Sequence, residues 1–211
     1  MIIDYLIALG SVGVFVVSAE AIGRAHPKIN REFTRKIAHI GSAIAISIWP
    51  FYLSWTTIYL LGVILALGVI ATLSLKLAGS IHNVKRRNYG EILFALSVIL
   101  SALMTESPAI FCTAILFMGL ADGLAAVTGT LWGKKSEYRI LGAKKSWVGS
   151  ATFLMTALVI TIGYSLLSGH QLPWFIYALL PVVATMLESV GLWGVDNVTV
   201  PIFVILTLSL L

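Results

Sequence analysis

Long apolar runs, separated by short segments that carry nearly all the charge, constrain this chain more than any other feature of its sequence. A helix that crosses a bilayer needs about 20 apolar residues. Charged residues make up only 11% of the 211 residues, where soluble proteins carry about 25%. The pattern predicts an all-α, polytopic membrane bundle that forms a single transmembrane domain over residues 1–211. About eight transmembrane helices are expected, at 2–22, 37–54, 56–75, 90–105, 108–129, 147–168, 173–190 and 198–211.

The basic residues all follow the first, third and fifth runs. In membrane proteins Lys and Arg collect in cytoplasmic loops, so these three loops are predicted to be cytoplasmic and both termini non-cytoplasmic. The net charge of +5 is therefore explained by the orientation of the chain in the membrane, and no nucleic-acid partner is expected. The basic residues are Arg24, Lys28, Arg31, Arg35 and Lys36 in the first loop, Lys76, Lys85, Arg86 and Arg87 in the second, and Lys134, Lys135, Arg139, Lys144 and Lys145 in the third.

The last apolar run is too short to cross a membrane by itself. Its 14 residues would extend about 21 Å as a helix, against a hydrocarbon core of about 30 Å. To span, the helix must start nearer Trp193, which brings Asp196 and Asn197 below the headgroups. Polar groups at that depth normally face the bundle interior or a wet cavity. Asp196 is therefore expected in an inward-facing cavity on the cytoplasmic side.

Asp122 is the one charged residue of the fifth run and lies about two turns from its cytoplasmic end. An acid inside a membrane helix is costly unless it is paired, so a functional role is the default hypothesis. The alternative is a structural pair with a buried Arg or Lys. Small residues share its helix face, which allows either close helix packing or close approach of a ligand. These are Gly119, Gly123, Ala126 and Thr130.

The third basic loop combines glycines, lysines and hydroxyls before the sixth predicted helix. Unpaired N–H groups and the helix dipole favour phosphate at a helix N-terminus, so we expect an anion site here. It is not a Walker loop, which has four residues between its glycines, because Gly129 and Gly133 are separated by three. The alternative is an ordinary positive-inside loop. The candidate residues are Gly129, Gly133, Lys134, Lys135, Lys144, Lys145, Ser146, Gly149 and Ser150.

Two further clusters are predicted on the same side of the membrane. Arg35 and His39 are four residues apart and share a helix face, so together they are candidates for binding phosphate. The alternative is that His39 is simply a polar side chain whose hydrogen bonds are made within the bundle. Glu188 ends the seventh run close to Asp196 and Asn197. With Asp122 these acids suit Mg²⁺, which takes one or two carboxylates plus substrate phosphates. Glu91 could add a fourth acid, or simply complement the dipole at a helix start.

In chain order these motifs resemble the polyprenol kinase family, which includes dolichol, phytol and farnesol kinases and a CTP-dependent diacylglycerol kinase, and which is related to phosphatidate cytidylyltransferases. Two departures stand out. Ala121 replaces a glycine common in relatives, and Val148 replaces a glutamate of the cytidylyltransferase-like members. The matching segments are Arg35-Lys36-x-x-His39, Ala121-Asp122-Gly123-Leu124-Ala125-Ala126-x-x-Gly129-x-x-x-Gly133-Lys134, Lys145-Ser146-x-x-Gly149-Ser150 and Asp196-Asn197-x-x-x-Pro201.

The resemblance implies an enzyme that transfers a phosphoryl group from CTP to a lipid alcohol. The alcohol would arrive from the bilayer and the nucleotide from the cytosol, so the reaction is expected just below the cytoplasmic headgroups. The expected catalytic residues are Asp122, Lys145 and Asp196. The expected ligands of Mg²⁺ are Asp122, Glu188, Asp196 and Asn197. The third-loop residues above, with Arg35, Lys36 and His39, are expected to bind the nucleotide.

Three alternatives remain open at this stage. A cytidylyltransferase acting on a lipid phosphate needs the same acids and lysines but releases pyrophosphate, and a CTP-dependent diacylglycerol kinase differs only in its acceptor. A small transporter could also use intramembrane acids. Transporter sites lie near the midplane between repeated halves, and this chain shows no repeat.

Overall fold

The computed structural model of this chain describes residues 2–26, 30–75 and 89–211. Five of the basic residues, Lys28, Lys76, Lys85, Arg86 and Arg87, lie outside these ranges. The helices are α1 (Ile2–Ala25), α2 (Arg31–Ser47), α3 (Trp55–Ser74), α4 (Gly90–Met104), α5 (Pro108–Leu116), α6 (Asp122–Trp132), α7 (Trp147–Ser168), α8 (Ile176–Val190) and α9 (Asp196–Ser209). A π-helical turn, Phe117–Ala121, joins α5 to α6, and short 3₁₀ turns cover Trp49–Phe51 and Gly133–Ser136.

The predicted helical architecture is confirmed, with four helices long and apolar enough to cross a membrane among the described residues. Because α5 and α6 are continuous, the described residues form eight helical rods. Three of the rods, α4, α8 and α9, are apolar but shorter than 18 residues. α2 is also short and carries charged side chains on an otherwise apolar helix. The rods that are long and apolar enough to cross a membrane are Ile3–Ala25, Trp55–Ser74, Pro108–Ser136 and Trp147–Ser168.

Several helix boundaries differ from the predicted ones, most of all at the two ends of α2, which is Arg31–Ser47 where 37–54 is predicted. α2 begins at Arg31, so Arg35 and Lys36 lie inside the helix and not before it, because the Asn30 side chain caps its N-terminus by accepting from the Glu32 amide at 3.0 Å. α9 begins at Asp196, before the predicted residue 198, but the helix does not extend back to Trp193. The reason is that Trp193 and Gly194 have positive φ, which a right-handed helix cannot contain.

The rod formed by α5 and α6 is the centre of the bundle. In the most apolar stretch of this rod 67% of the residues are buried, whereas 17–28% are buried in the corresponding stretches of the other three long rods. The central rod therefore packs mainly on protein, and the other three expose most of their apolar stretches. One core cluster joins it to α7, α8 and α9 through Phe117, which meets Phe153 edge-on at 6.5 Å between ring centroids. A second cluster joins it to α1–α4 through Phe111, Ile115 and Met118. The buried middle part of this rod is therefore held from both sides.

Close packing of α2 on the central rod explains the predicted stripe of small residues. A Cβ at Gly119 would overlap Ala43, and one at Gly123 would overlap Ile40. The two backbones can approach only because these positions lack side chains. This approach brings the charged face of α2 next to Asp122, which directly follows the π-helical turn.

The third basic loop contains a β-hairpin, which the all-α prediction missed. β1 (Glu137–Ile140) pairs antiparallel with β2 (Ala143–Ser146) in the register Tyr138 to Lys145. Leu141 and Gly142 form a two-residue turn with φ of 47° and 86°, the left-handed pair that a tight hairpin requires. Four-residue strands rich in Lys and Ser give almost no sequence signal, so the pattern of this segment predicts only a loop.

Candidate active site

A cavity of about 560 Å³ lies at the end of the bundle where α2, α4, α7 and α9 begin and where α6 and α8 end. The hairpin covers one side of it. Polar and charged side chains from five helices and the hairpin therefore converge on one space, although they come from distant parts of the sequence. The predicted site residues that line the cavity are Arg35, Lys36, Asp122, Gly129, Lys134, Lys144, Lys145, Ser146, Gly149, Ser150, Glu188, Asp196 and Asn197.

Asp122 lies at the bottom of this cavity and is buried. Lys36, one helix away on α2, forms an ion pair with its Oδ2 atom, and both side chains are about nine-tenths buried. His39 Nε2 lies 3.6 Å from the same oxygen and donates to the Met118 carbonyl oxygen at 3.2 Å. Asp122 is thus paired with a buried lysine, which is the alternative that the sequence left open for it. His39, predicted to bind nucleotide, lies behind Asp122 and does not line the cavity.

The second charged group joins the ends of α8 and α9 to the hairpin. Lys145 on β2 forms an ion pair with Glu188, donates to the Glu188 carbonyl oxygen at 2.8 Å and lies 3.8 Å from Asp196 Oδ2. Burial alone would lower the pKa of Lys145, but the Glu188 and Asp196 carboxylates outweigh it and raise that pKa above its ordinary value. Lys145 therefore stays protonated at neutral pH.

Three carboxylates come together in the cavity. Asp122, Glu188 and Asp196 each offer an oxygen within 4.8 Å of the others. Among the described residues the lysines that pair with them are Lys36 and Lys145, so three ionised carboxylates would carry one negative charge in excess of the two ammonium groups. Convergent carboxylate oxygens are the ligands that Mg²⁺ takes, usually together with substrate phosphates. This acidic cluster, defined as Asp122, Glu188 and Asp196, therefore fits a divalent cation.

The junction of α6 and α7 is built for close contact. Ser146 caps α7 by accepting from the Gly149 amide at 3.1 Å. A Cβ at Gly129 would come within 2.8 Å of Ser146 Oγ, and a Cβ at Gly133 would overlap the same side chain. Gly149 in turn lies against the Ala125 carbonyl oxygen. Gly129, Gly133, Ser146 and Gly149 are predicted to bind phosphate, and in the structure they pack the two helices together. Of these four, Gly133 does not line the cavity.

The remaining predicted residues are Lys134 and Lys144 at the exposed rim of the cavity, Lys135 outside it and the buried Arg35. Lys134 is exposed and lines the cavity, whereas Lys135 is exposed and does not. Lys144 pairs with Glu137 across the hairpin at 2.7 Å, with both side chains largely in solvent. Arg35 is held by Glu32 at 2.5 Å on the first turns of α2.

Asn197 fixes α9 to α4. Its Nδ2 atom donates to the Gly90 carbonyl oxygen at 2.7 Å, and the side chain is buried. The predicted metal ligand therefore has its amide nitrogen committed to joining two helices. This contact holds the adjacent Asp196 in place beside the cavity.

Two residues near the cavity had no sequence signal. The Tyr138 hydroxyl shares hydrogen bonds with Ser150 at 2.7 Å and Ser189 at 3.1 Å, which ties the hairpin to α7 and α8. Trp193 lines the cavity from the α8–α9 connection. Both side chains are brought to the site by turns with positive φ, which neither periodicity nor charge patterns reveal.

Comparison with known proteins finds one similar over nearly the whole chain. A phytol kinase of Synechocystis sp. is 32% identical over 197 residues, which cover 90% of this chain and 83% of the relative. No protein-family model matches the chain. No solved structure matches it.

Proposed function

This chain belongs to the polyprenol kinase family, whose members phosphorylate lipid alcohols, and we propose that it transfers the γ-phosphoryl group of CTP to an isoprenoid alcohol of the phytol type. The similarity to a phytol kinase supports a lipid-alcohol acceptor. The resemblance of the motifs to CTP-dependent kinases supports CTP as the donor. The product would be the monophosphate of the alcohol, released with CDP.

One observation carries the proposal: the acidic cluster, the buried Lys36 and the partly buried Lys145 share one cavity. Phosphoryl transfer requires little covalent chemistry from a protein and depends on positioning and on neutralising phosphate charge. Lysines supply that neutralisation from fixed positions. Apolar helices around the cavity offer the lipid chain a route from the bilayer.

The reaction can be assigned to groups that the cavity contains. The alcohol oxygen attacks the γ-phosphorus and forms the new O–P bond, while the bond from that phosphorus to the β,γ-bridging oxygen breaks. The electron pair leaves on CDP, where the ammonium groups of Lys145 and the rim residue Lys134 face the added charge. The alcohol proton passes to a carboxylate of the acidic cluster and from there to water.

Magnesium is part of the proposal. Asp122, Glu188 and Asp196 would hold the ion, with Asn197 beside them. When bound, Mg²⁺ would neutralise negative charge on the phosphate oxygens. Its charge would also exceed the excess negative charge of the cluster, so phosphates would be attracted to the cavity.

A direct assay tests the function. The purified protein in detergent is given γ-labelled CTP or ATP with phytol, farnesol, dolichol or diacylglycerol, with and without EDTA. Label is expected in phytol monophosphate with CTP, and EDTA should abolish it. Asp122→Asn should lower the rate at least about 100-fold, the contribution expected of a group that accepts the alcohol proton or helps to hold the metal ion. Asp4→Asn, in the first turn of α1 and outside the cavity, is the control and should be active.

The same assay separates the rival functions. Transfer to diacylglycerol but not to prenols would make the chain a diacylglycerol kinase. Release of pyrophosphate with a lipid phosphate as acceptor would identify a cytidylyltransferase. If no lipid acquires label and Asp122→Asn behaves as the unaltered chain does, the kinase proposal is wrong.

A further inference from the structure

Trp193 adopts a backbone conformation that bulky residues rarely take. It lies in the connection between α8 and α9 with φ of 55°, and Gly194 follows with φ of 90°. Glycine tolerates this left-handed region, but a residue with a Cβ is strained there. Such strain persists only where surrounding contacts enforce it, and it collects at functional sites. The position of this indole is therefore imposed by the fold.

Hydrogen bonds on both sides enforce the conformation. The Trp193 carbonyl oxygen accepts from the Tyr89 amide at 3.0 Å, which fixes the connection to the start of α4. The Val195 amide donates to the Leu192 carbonyl oxygen at 3.0 Å, and the Asn197 amide donates to that of Gly194 at 3.1 Å. The connection is thus an ordered turn that presents Trp193 to the cavity.

Exposure alone would not distinguish Trp193, because tryptophan is common at membrane interfaces. Trp132 and Trp147 are 69% and 67% exposed, close to the 63% of Trp193. Neither of them lines the cavity, and neither has positive φ. Among the described residues that line the cavity, Trp193 is the one aromatic side chain. Only this tryptophan combines strain, a fixed backbone and a place in the site.

We propose, on the premise of the proposed function, that the indole of Trp193 is the platform on which the base of the nucleotide stacks. Three residues further along the chain is Asp196, which belongs to the acidic cluster and lies beside Lys145. A nucleotide with its phosphates at these groups has its planar base at the rim, where the indole is. Every base has a π-face, so the platform sets nucleotide affinity and not the choice of base.

Three variants test the platform, with binding of CDP and of inorganic tripolyphosphate measured by calorimetry in detergent with Mg²⁺. Trp193→Gly should weaken CDP binding about 5- to 150-fold, the range for loss of one stacked base. Tripolyphosphate has no base, so its affinity should not change. The melting temperature should stay the same or rise, because glycine relieves the strain. Trp193→Phe should bind CDP almost normally, and the control Trp132→Ala should bind as the unaltered chain does.

The outcomes are separable. The platform is wrong if Trp193→Gly weakens CDP and tripolyphosphate equally, if it leaves CDP binding unchanged, or if it raises only the KM for the lipid alcohol. A lowered melting temperature together with weaker binding of both ligands would assign Trp193 a structural role. The proposed function fails independently if the unaltered chain transfers no phosphoryl group, even where its CDP binding depends on Trp193.

Discussion

The pair formed by Lys36 and Asp122 shows how this bundle keeps an acid ionised in its interior. Burying a single charge is costly, and a partner on a neighbouring helix offsets that cost only when the two are in contact. Lys36 meets this condition because Gly119 and Gly123 let α2 approach the central rod. Two glycines that flank Asp122 on the central rod thus allow a lysine of the neighbouring helix to reach it.

We expect Lys36→Met to lower the melting temperature, because it leaves the Asp122 carboxylate buried without its ion-pair partner, a loss of about 3–5 kcal/mol for such pairs. Asp122→Asn alone should destabilise for the converse reason. The double variant removes both charges and should recover much of the melting temperature. Its phosphoryl transfer should not recover, because the acidic cluster remains incomplete. Recovered activity in the double variant would show that Asp122 is only a structural partner.

A residue of the site could be predicted from the sequence where it departs from the apolar or charge pattern of the residues around it. Asp122 stands out in an apolar run, and the lysines are concentrated in one loop. The partners of these charges were not predictable, because Lys36 and Asp122 are 86 positions apart and Lys145 and Glu188 are 43 apart. Tyr138 and Trp193 break no pattern, since aromatic residues are ordinary at membrane interfaces.

The hairpin is the element that brings the third basic loop to the cavity. Tyr138 and Lys145 are directly opposed in its register, so their side chains lie on the same face. Tyr138 holds that face to α7 and α8, while Lys145 reaches Glu188. The hairpin therefore positions Lys145 beside the acidic cluster by anchoring the tyrosine opposite it.

Tyr138→Phe should loosen this anchor. Loss of one hydroxyl costs about 1 kcal/mol in hydrogen bonding, and we expect the KM for the nucleotide to rise about 5-fold while the KM for the alcohol stays the same. Tyr177→Phe is the matched control, because its hydroxyl also donates to a serine, Ser165, at 2.7 Å, but away from the cavity. Equal effects of the two variants on nucleotide KM would contradict the positioning role.

The contact between α6 and α7 gives a second test at the scale of elements. Gly149→Ala would place its Cβ 2.9 Å from the Ala125 carbonyl oxygen, and backbone cannot move aside as a flexible side chain can. We expect a lower melting temperature and lower activity. Gly163→Ala in the same helix meets nothing within 4 Å and should be neutral or stabilising, because alanine favours helix more than glycine does. A harmless Gly149→Ala would show that the junction can widen without cost.

The helices were largely predictable because apolar runs of this length have few alternatives in a membrane. α7 occupies the predicted range 147–168, and the other rods lie within a few residues of theirs except at the ends of α2. The π-helical turn and the hairpin were not predictable. Each depends on tertiary contacts, the first with α2 and the second with α7 and α8.

Across the whole molecule, the scarce charges are concentrated at one end of the bundle. That end holds the acidic cluster, its partner lysines Lys36 and Lys145, and the exposed Lys134 and Lys144. The rest of the described surface exposes many large apolar side chains, as lipid contact requires. Such an arrangement would let the proposed substrates, a lipid alcohol and a charged nucleotide, meet without either leaving its own phase.

The orientation of this end in the membrane is the last prediction. The positive-inside rule places the hairpin in the cytoplasm, and therefore the loops at the far ends of α4 and α7 outside. Cys112 is the one cysteine and is buried, so Cys112→Ala provides a background for single-cysteine variants. Lys135→Cys should react with a membrane-impermeant maleimide only after the cells are permeabilised. Glu106→Cys and His170→Cys, both at exposed positions, should react in intact cells. The reverse pattern would place the cavity outside, away from cytosolic nucleotide, and would contradict both the topology and the proposed nucleotide supply.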